Sequence, residues 1–278
     1  MDHARWIEER SRWREIVVRC PVFHDDRNKA LRARVVSTTT ILALALFVMV
    51  ENLIHSEGTP YYFIWLTNWT GLLTGTYAVT FCWATVVAAR EEHTVGNDDG
   101  INGNSQTQIP LAVRILWRTK AAAPVCQLLI TIMYWGLLYS PKYTNVTADN
   151  VVAHGGLCFM MVTSLTLTAR MSLNNLIDLW NTYAFLLTYM TFNIIYTLAI
   201  PNGENNDGQP YVYEILHWNG HPERATIVVV VTAFIMVPIS YGVALGLTTK
   251  VRNYLFPDVG LNAHTRPAHT GAVTRAAA

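Results

Sequence analysis

An all-α bundle of six membrane-crossing helices is the fold this chain predicts, on three observations. The 278 residues are 51% hydrophobic and only 14% charged, where a soluble domain carries about a quarter. Six apolar stretches of roughly 20 residues recur, each able to span a hydrocarbon core of about 30 Å at 1.5 Å per residue. Of the 20 Lys and Arg residues, all but Lys142 and Arg224 fall on one side of those stretches. Short basic loops stay on the cytoplasmic side, so both termini are expected there.

Residues 1–34 form a cytoplasmic segment in which Trp6, Ile7, Trp13, Ile16 and Val17 recur at helical spacing among Arg5, Arg10, Arg12, Arg14 and Arg19. That pattern reads as an amphipathic helix on the membrane surface or as a plain solvated helix. The membrane domain follows over 35–256, with spans at Val35–Leu53, Tyr61–Ala89, Ala122–Tyr139, Val151–Ala169, Leu179–Ile200 and Ala225–Leu247. The aromatic start of the second span, Tyr61 to Trp65, suits the interface. A polar cytoplasmic loop joins the second and third spans over 91–109, and residues 257–278 read as a disordered tail. The N-terminus lacks the pattern of a cleaved signal peptide, so the first span is expected to serve as an anchor. Asn145-Val146-Thr147 is a glycosylation acceptor in the second outer loop, which agrees with this orientation. Asn68-Trp69-Thr70 also fits the acceptor pattern but lies within a span.

Several function classes are excluded. A net charge of +1 with no concentrated basic face argues against nucleic acid as partner. No Gly-rich phosphate loop occurs, and no cofactor is implied. None of the four cysteines lies in an outer loop, so no secreted-type disulfide framework is available. The spans show no rows of charge of the kind a pump or voltage sensor needs.

Polar groups kept inside hydrocarbon are the first places to seek chemistry. Thr67 lies near the outer start of the second span and His154 about one turn into the fourth, which enters from the same side. Rise per residue puts the two at one depth, where a hydroxyl and an imidazole make a nucleophile and base pair. Asn68, Asn193 and Tyr196 lie in the same outer half and are expected to support a polar pocket. The same residues also read as helix-packing groups that satisfy carbonyls, the more ordinary role of polar side chains in a span. Gly71 and Gly75 form a small-xxx-small pair for close helix approach, and Pro238 should kink the sixth span. The outer loop over 201–224, with Tyr211, Tyr213 and Trp218, reads as a cap over the bundle that serves ligand access or partner recognition. His217 and His221 have metal-ligand spacing, but Gly220 and Pro222 interrupt the helix it requires, so no metal is expected.

The run Pro60-Tyr61-Tyr62-Phe63-Ile64-Trp65-Leu66-Thr67-Asn68-Trp69, then His154, then Gly208-Gln209-Pro210-Tyr211-Val212-Tyr213-Glu214-Ile215-Leu216-His217-Trp218 resembles the rolling stone-like membrane proteins. That resemblance implies a multi-pass protein of undefined activity, acting in cell adhesion or fusion through its outer loops. A more distant similarity, to the androgen-induced family of intramembrane threonine hydrolases, implies Thr67 as nucleophile and His154 as its partner on a lipid ester. His154 is followed here by Gly155-Gly156-Leu157, a departure from that family's pattern. A small-solute transporter is the third reading. Expected partners are membrane lipids, a lipid-ester substrate or a membrane protein, in the plasma membrane or the endoplasmic reticulum.

Overall fold

The computed structural model describes residues 17, 20, 22–23, 26–55, 62–95, 109–139, 146–168, 173, 176–199, 209 and 211–256, and every structural statement below concerns these. No strand occurs among them. Six long helices run up and down: α1 Arg27–His55, α2 Leu66–Val95, α3 Leu111–Leu138, α4 Ala148–Leu167, α5 Leu176–Ala199 and α6 Pro222–Leu255. All but α5 are long and apolar enough to cross a membrane by length and composition. At 24 residues α5 is long enough as well. Its asparagines, threonines and tyrosines dilute its hydropathy. The chain is thus a polytopic helical bundle.

Local chemistry sets the helix ends. The Asp26 carboxylate accepts the Lys29 backbone N–H at 3.0 Å and pairs with the Lys29 ammonium at 3.2 Å, which caps α1. The second helix starts at Leu66 and not at Tyr61. Side chains claim the carbonyls of the preceding turn: Asn68 Nδ2 donates to Tyr62 O, Trp69 Nε1 to Phe63 O and Tyr189 Oη to Ile64 O. The third helix begins at Leu111, just after Pro110, well before the expected Ala122. Its first turns bury Ala112, Val113 and Leu116 while Arg114 and Arg118 stay exposed, so an average over the segment hides its apolar face.

The bundle is built around α3, which packs against α2, α4, α5 and α6, while α1 packs on α2 and α4. Residues 121–127 of α3 are buried without a break, and the small side chains of Ala121, Ala122 and Ala123 admit neighbouring helices closely. One core cluster joins Ile41, Tyr77, Phe81, Leu116 and Met161 across α1 to α4. A second joins Cys126, Leu129, Leu186 and Val237 across α3, α5 and α6. A Cβ on Gly75 would stand 4.0 Å from Leu42 Cδ1 of α1, whereas one on Gly71 would meet nothing within 4 Å.

Of the N-terminal segment, Val17 packs into the first cluster, and the Cys20 thiol donates to the Leu167 carbonyl at 3.2 Å. These two residues close the cation-rich end of the bundle. The rest of the expected amphipathic helix, the loop over 96–108, Lys142, Asn145, residues 201–208 and the tail 257–278 lie outside the described residues.

Candidate functional site

Three of the four π turns among the described residues flank one region: Tyr134–Leu138, the last turn of α3, Val152–Gly156 in α4 and Thr232–Met236 in α6; the fourth, Leu247–Val251, lies near the other end of α6. Such turns widen a helix and occur often at functional sites. The one at Thr232–Met236 has a traceable cause. Val237 N–H bonds to Thr232 O five residues back, so the Ala233 carbonyl would next look to residue 238, where proline has no N–H. The Tyr183 hydroxyl of α5 fills that vacancy, donating to Ala233 O at 2.7 Å.

Between α3, α5 and α6 lies an apolar cavity of about 120 Å³, comparable with engineered cavities that hold benzene. Its walls are Leu129, Ile130, Met133, Tyr134 and Leu138 from α3, Tyr183, Leu186, Leu187, Tyr189 and Met190 from α5, and Val228, Val229, Thr232, Ala233 and Val237 from α6. Leu66 and Thr67, in the first turn of α2, and Tyr213, Ile215 and Leu216, from the segment before α6, complete it. No charged side chain lines the cavity. Its polar groups are hydroxyls.

The segment before α6 folds inward as a lid. Val212 and Leu216 are buried, and the rings of Tyr213 and Trp65 meet edge-on at 5.1 Å. Trp218 Nε1 donates to Asn193 Oδ1 at 3.0 Å and Asn219 Nδ2 to Thr197 O at 3.1 Å, which ties the lid to α5. The Leu66 N–H, one of the donors left unpaired at a helix start, bonds to Tyr213 Oη at 3.0 Å. Burial pushes the Tyr213 phenol up to about 12, and hydrogen bonds with Leu66, Tyr189 and Thr67 draw it back. It is therefore neutral at any physiological pH.

Thr67 sits in the cavity wall beside Tyr213, with Tyr189 close by. His154 does not line the cavity. Its ring stacks on Tyr134, which does, at 3.6 Å between centroids and 6° between planes. Trp135 Nε1 donates to the His154 carbonyl at 3.0 Å, and His154 Nδ1 is buried without a hydrogen-bond partner. Asn68 turns away from the cavity, accepting from Asn52 Nδ2 at 2.8 Å and so linking α2 to α1. Asn193 is fully buried under Trp218, and Tyr196 stacks on Phe192. Thr67 and Asn193 thus belong to one polar patch with Tyr189 and Tyr213, while His154 joins it only through Tyr134.

The His217 and His221 rings meet edge-on at 5.6 Å, and a Cβ on Gly220 would stand 2.4 Å from His217 Cε1. Glycine is what lets the imidazole fold back there. No cluster of three metal-ligating side chains occurs among the described residues. A buried ion pair went unread in the sequence: Lys120 of α3 lies 3.3 Å from Asp178 of α5, with both side chains 3% exposed or less.

The sequence pattern described as protein rolling stone matches residues 19–260, which takes in every element of this site. The chain belongs to the rolling stone family. No curated protein and no solved structure matches it significantly. In this rolling stone family protein, the stretch leading into α2, Tyr62 to Trp69, and the lid, Tyr211 to Trp218, meet in space.

Proposed function

We propose that this rolling stone family protein binds a membrane lipid, with a hydrocarbon chain in the cavity and the polar group at Thr67 and Tyr213. The observation that carries this reading is an apolar chamber inside a membrane bundle, lined at one end by two hydroxyls, Thr67 on the first turn of a 30-residue helix and Tyr213 on the lid. Lipid tails are the abundant apolar solute at that depth, and apolar walls with a few placed polar groups are the usual form of a small-molecule site. In this reading both termini are cytoplasmic, the lid faces the opposite side, and Asn145 is open to glycosylation there. The plasma membrane and the endoplasmic reticulum both suit it.

A photoreactive alkyl lipid probe, reconstituted with the protein in nanodiscs, should label the cavity and be displaced by excess unlabelled lipid. Val229 lines the chamber from α6 and is only partly buried, and the cavity of about 120 Å³ beside it leaves room for added bulk. Val229→Trp should fill the space and reduce labelling at least tenfold while thermal stability changes little. Undiminished labelling of that variant would remove the reading.

A second reading adds chemistry, and the placement of Thr67 favours it. Its hydroxyl stands at the start of α2, where backbone N–H groups and the helix dipole support developing negative charge. Attack of Thr67 Oγ on an ester carbonyl would release the alcohol and leave an acyl-threonine, which water then hydrolyses to the acid. For His154 to take the threonine proton, it would have to leave its stack on Tyr134. A fluorophosphonate should label the wild type and not Thr67→Ala if this chemistry operates; equal labelling of both excludes it. A role in adhesion or fusion through the lid is less well supported, because Val212, Tyr213, Leu216 and Trp218 all turn into the bundle. Nor does a transporter follow from a chamber confined to one end.

A further inference from the structure

The cavity has an opening that the lipid-binding reading does not by itself specify. Helices α5 and α6 both pack on α3, yet they share no extensive contact with one another. Leu187, on the α5 side of that seam, lines the cavity and is still 62% exposed. In a membrane-spanning bundle, an apolar side chain exposed at mid-helix faces lipid. The seam therefore connects the chamber sideways with the hydrocarbon of the bilayer. What bridges it is the hydrogen bond from Tyr183 Oη to Ala233 O, made to the carbonyl that Pro238 leaves without a helical partner.

We infer that the α5–α6 seam is a lateral portal by which one hydrocarbon chain of a bilayer lipid passes into the cavity, and that the Tyr183–Ala233 hydrogen bond is its latch. The inference rests on the lipid-binding reading and adds the route and its control. A lipid chain is the fitting occupant because the walls along the route, Leu187, Val229 and Ala233, are apolar and uncharged, and the route ends in membrane and not in water. Opening costs one hydrogen bond. The Ala233 carbonyl is then left in an apolar setting, which favours reclosure over a chain that has entered. Pro238 thus acts through the carbonyl it frees and not merely through a bend.

The test is the rate at which an alkyl lipid probe photolabels the protein in nanodiscs, read against irradiation delay after mixing with probe-loaded vesicles. Tyr183→Phe keeps the ring and removes the hydroxyl, and should speed labelling about fivefold, the rate equivalent of one hydrogen bond of about 1 kcal/mol. Pro238→Ala restores an N–H that can take the Ala233 carbonyl, and should give a similar gain. The double variant should be no faster than either single one, since both act on one bond. Additive gains, or a rate unchanged in Tyr183→Phe, overturn the portal. Labelling that Val229→Trp fails to reduce overturns lipid binding itself, so the two failures are distinct.

Discussion

Replacing Lys120 by Met should lower the stability of the bundle by about 3–5 kcal/mol, the cost of removing one partner from a buried ion pair. Its ammonium lies 3.3 Å from Asp178 in the packing between α3 and α5, with the two side chains 3% and 2% exposed. Taking the ammonium away leaves the buried carboxylate without its cationic partner, and a charge so placed is costly. The double replacement Lys120→Met with Asp178→Leu should recover most of the loss, because an apolar pair of similar volume fills the site without a desolvation cost. Unfolding in mixed micelles against increasing denaturing detergent, followed by tryptophan fluorescence, measures both. If the single variant unfolds at the wild-type midpoint, the pair is not holding α3 to α5.

That pair also marks where sequence reading reaches its limit. The alternation of apolar stretches and cation-rich loops was enough for the architecture, because crossing hydrocarbon demands long helices whatever their partners. Helix starts were less legible. Lys120 reads as a loop residue when apolar residues are averaged along the chain, and its pairing with Asp178, 58 positions later in α5, helps to make it tolerable inside. Similarly, the start of α2 is set by Tyr189, which claims the Ile64 carbonyl at 2.8 Å from a helix far along the chain. Thr67, Asn193, Pro238 and the inward-folding aromatics Tyr211 to Trp218 could be singled out beforehand because each breaks the apolar pattern. Tyr134, Tyr183 and Tyr189 could not, since tyrosine in a span is unremarkable until its hydroxyl has a destination. The rotation of His154 about its helix axis was not readable. A π turn at Val152–Gly156 resets that rotation, and stacking on Tyr134 decides where the ring lies.

Tyr213→Phe should loosen the start of α2 without unfolding the bundle, and this separates the lid's anchoring bond from its packing. Phenylalanine keeps the edge-on contact with Trp65 at 5.1 Å, so the lid stays seated. What is lost is the oxygen that accepts the Leu66 N–H at 3.0 Å. An amide left without a partner in a buried setting costs about 1–3 kcal/mol, and here the cost falls on one local opening. Hydrogen exchange at Leu66 and Thr67 should accelerate about tenfold or more, while amides in the middle of α3 keep their protection. The same substitution removes the group that fixes Thr67 at the cavity mouth. Lipid-probe labelling should therefore weaken in step with the faster exchange, with the labelled position spread more widely over α2 and the lid. Were exchange at Leu66 to stay at the wild-type rate, water or another acceptor would be holding that helix start, and Tyr213 would serve as an apolar wall alone.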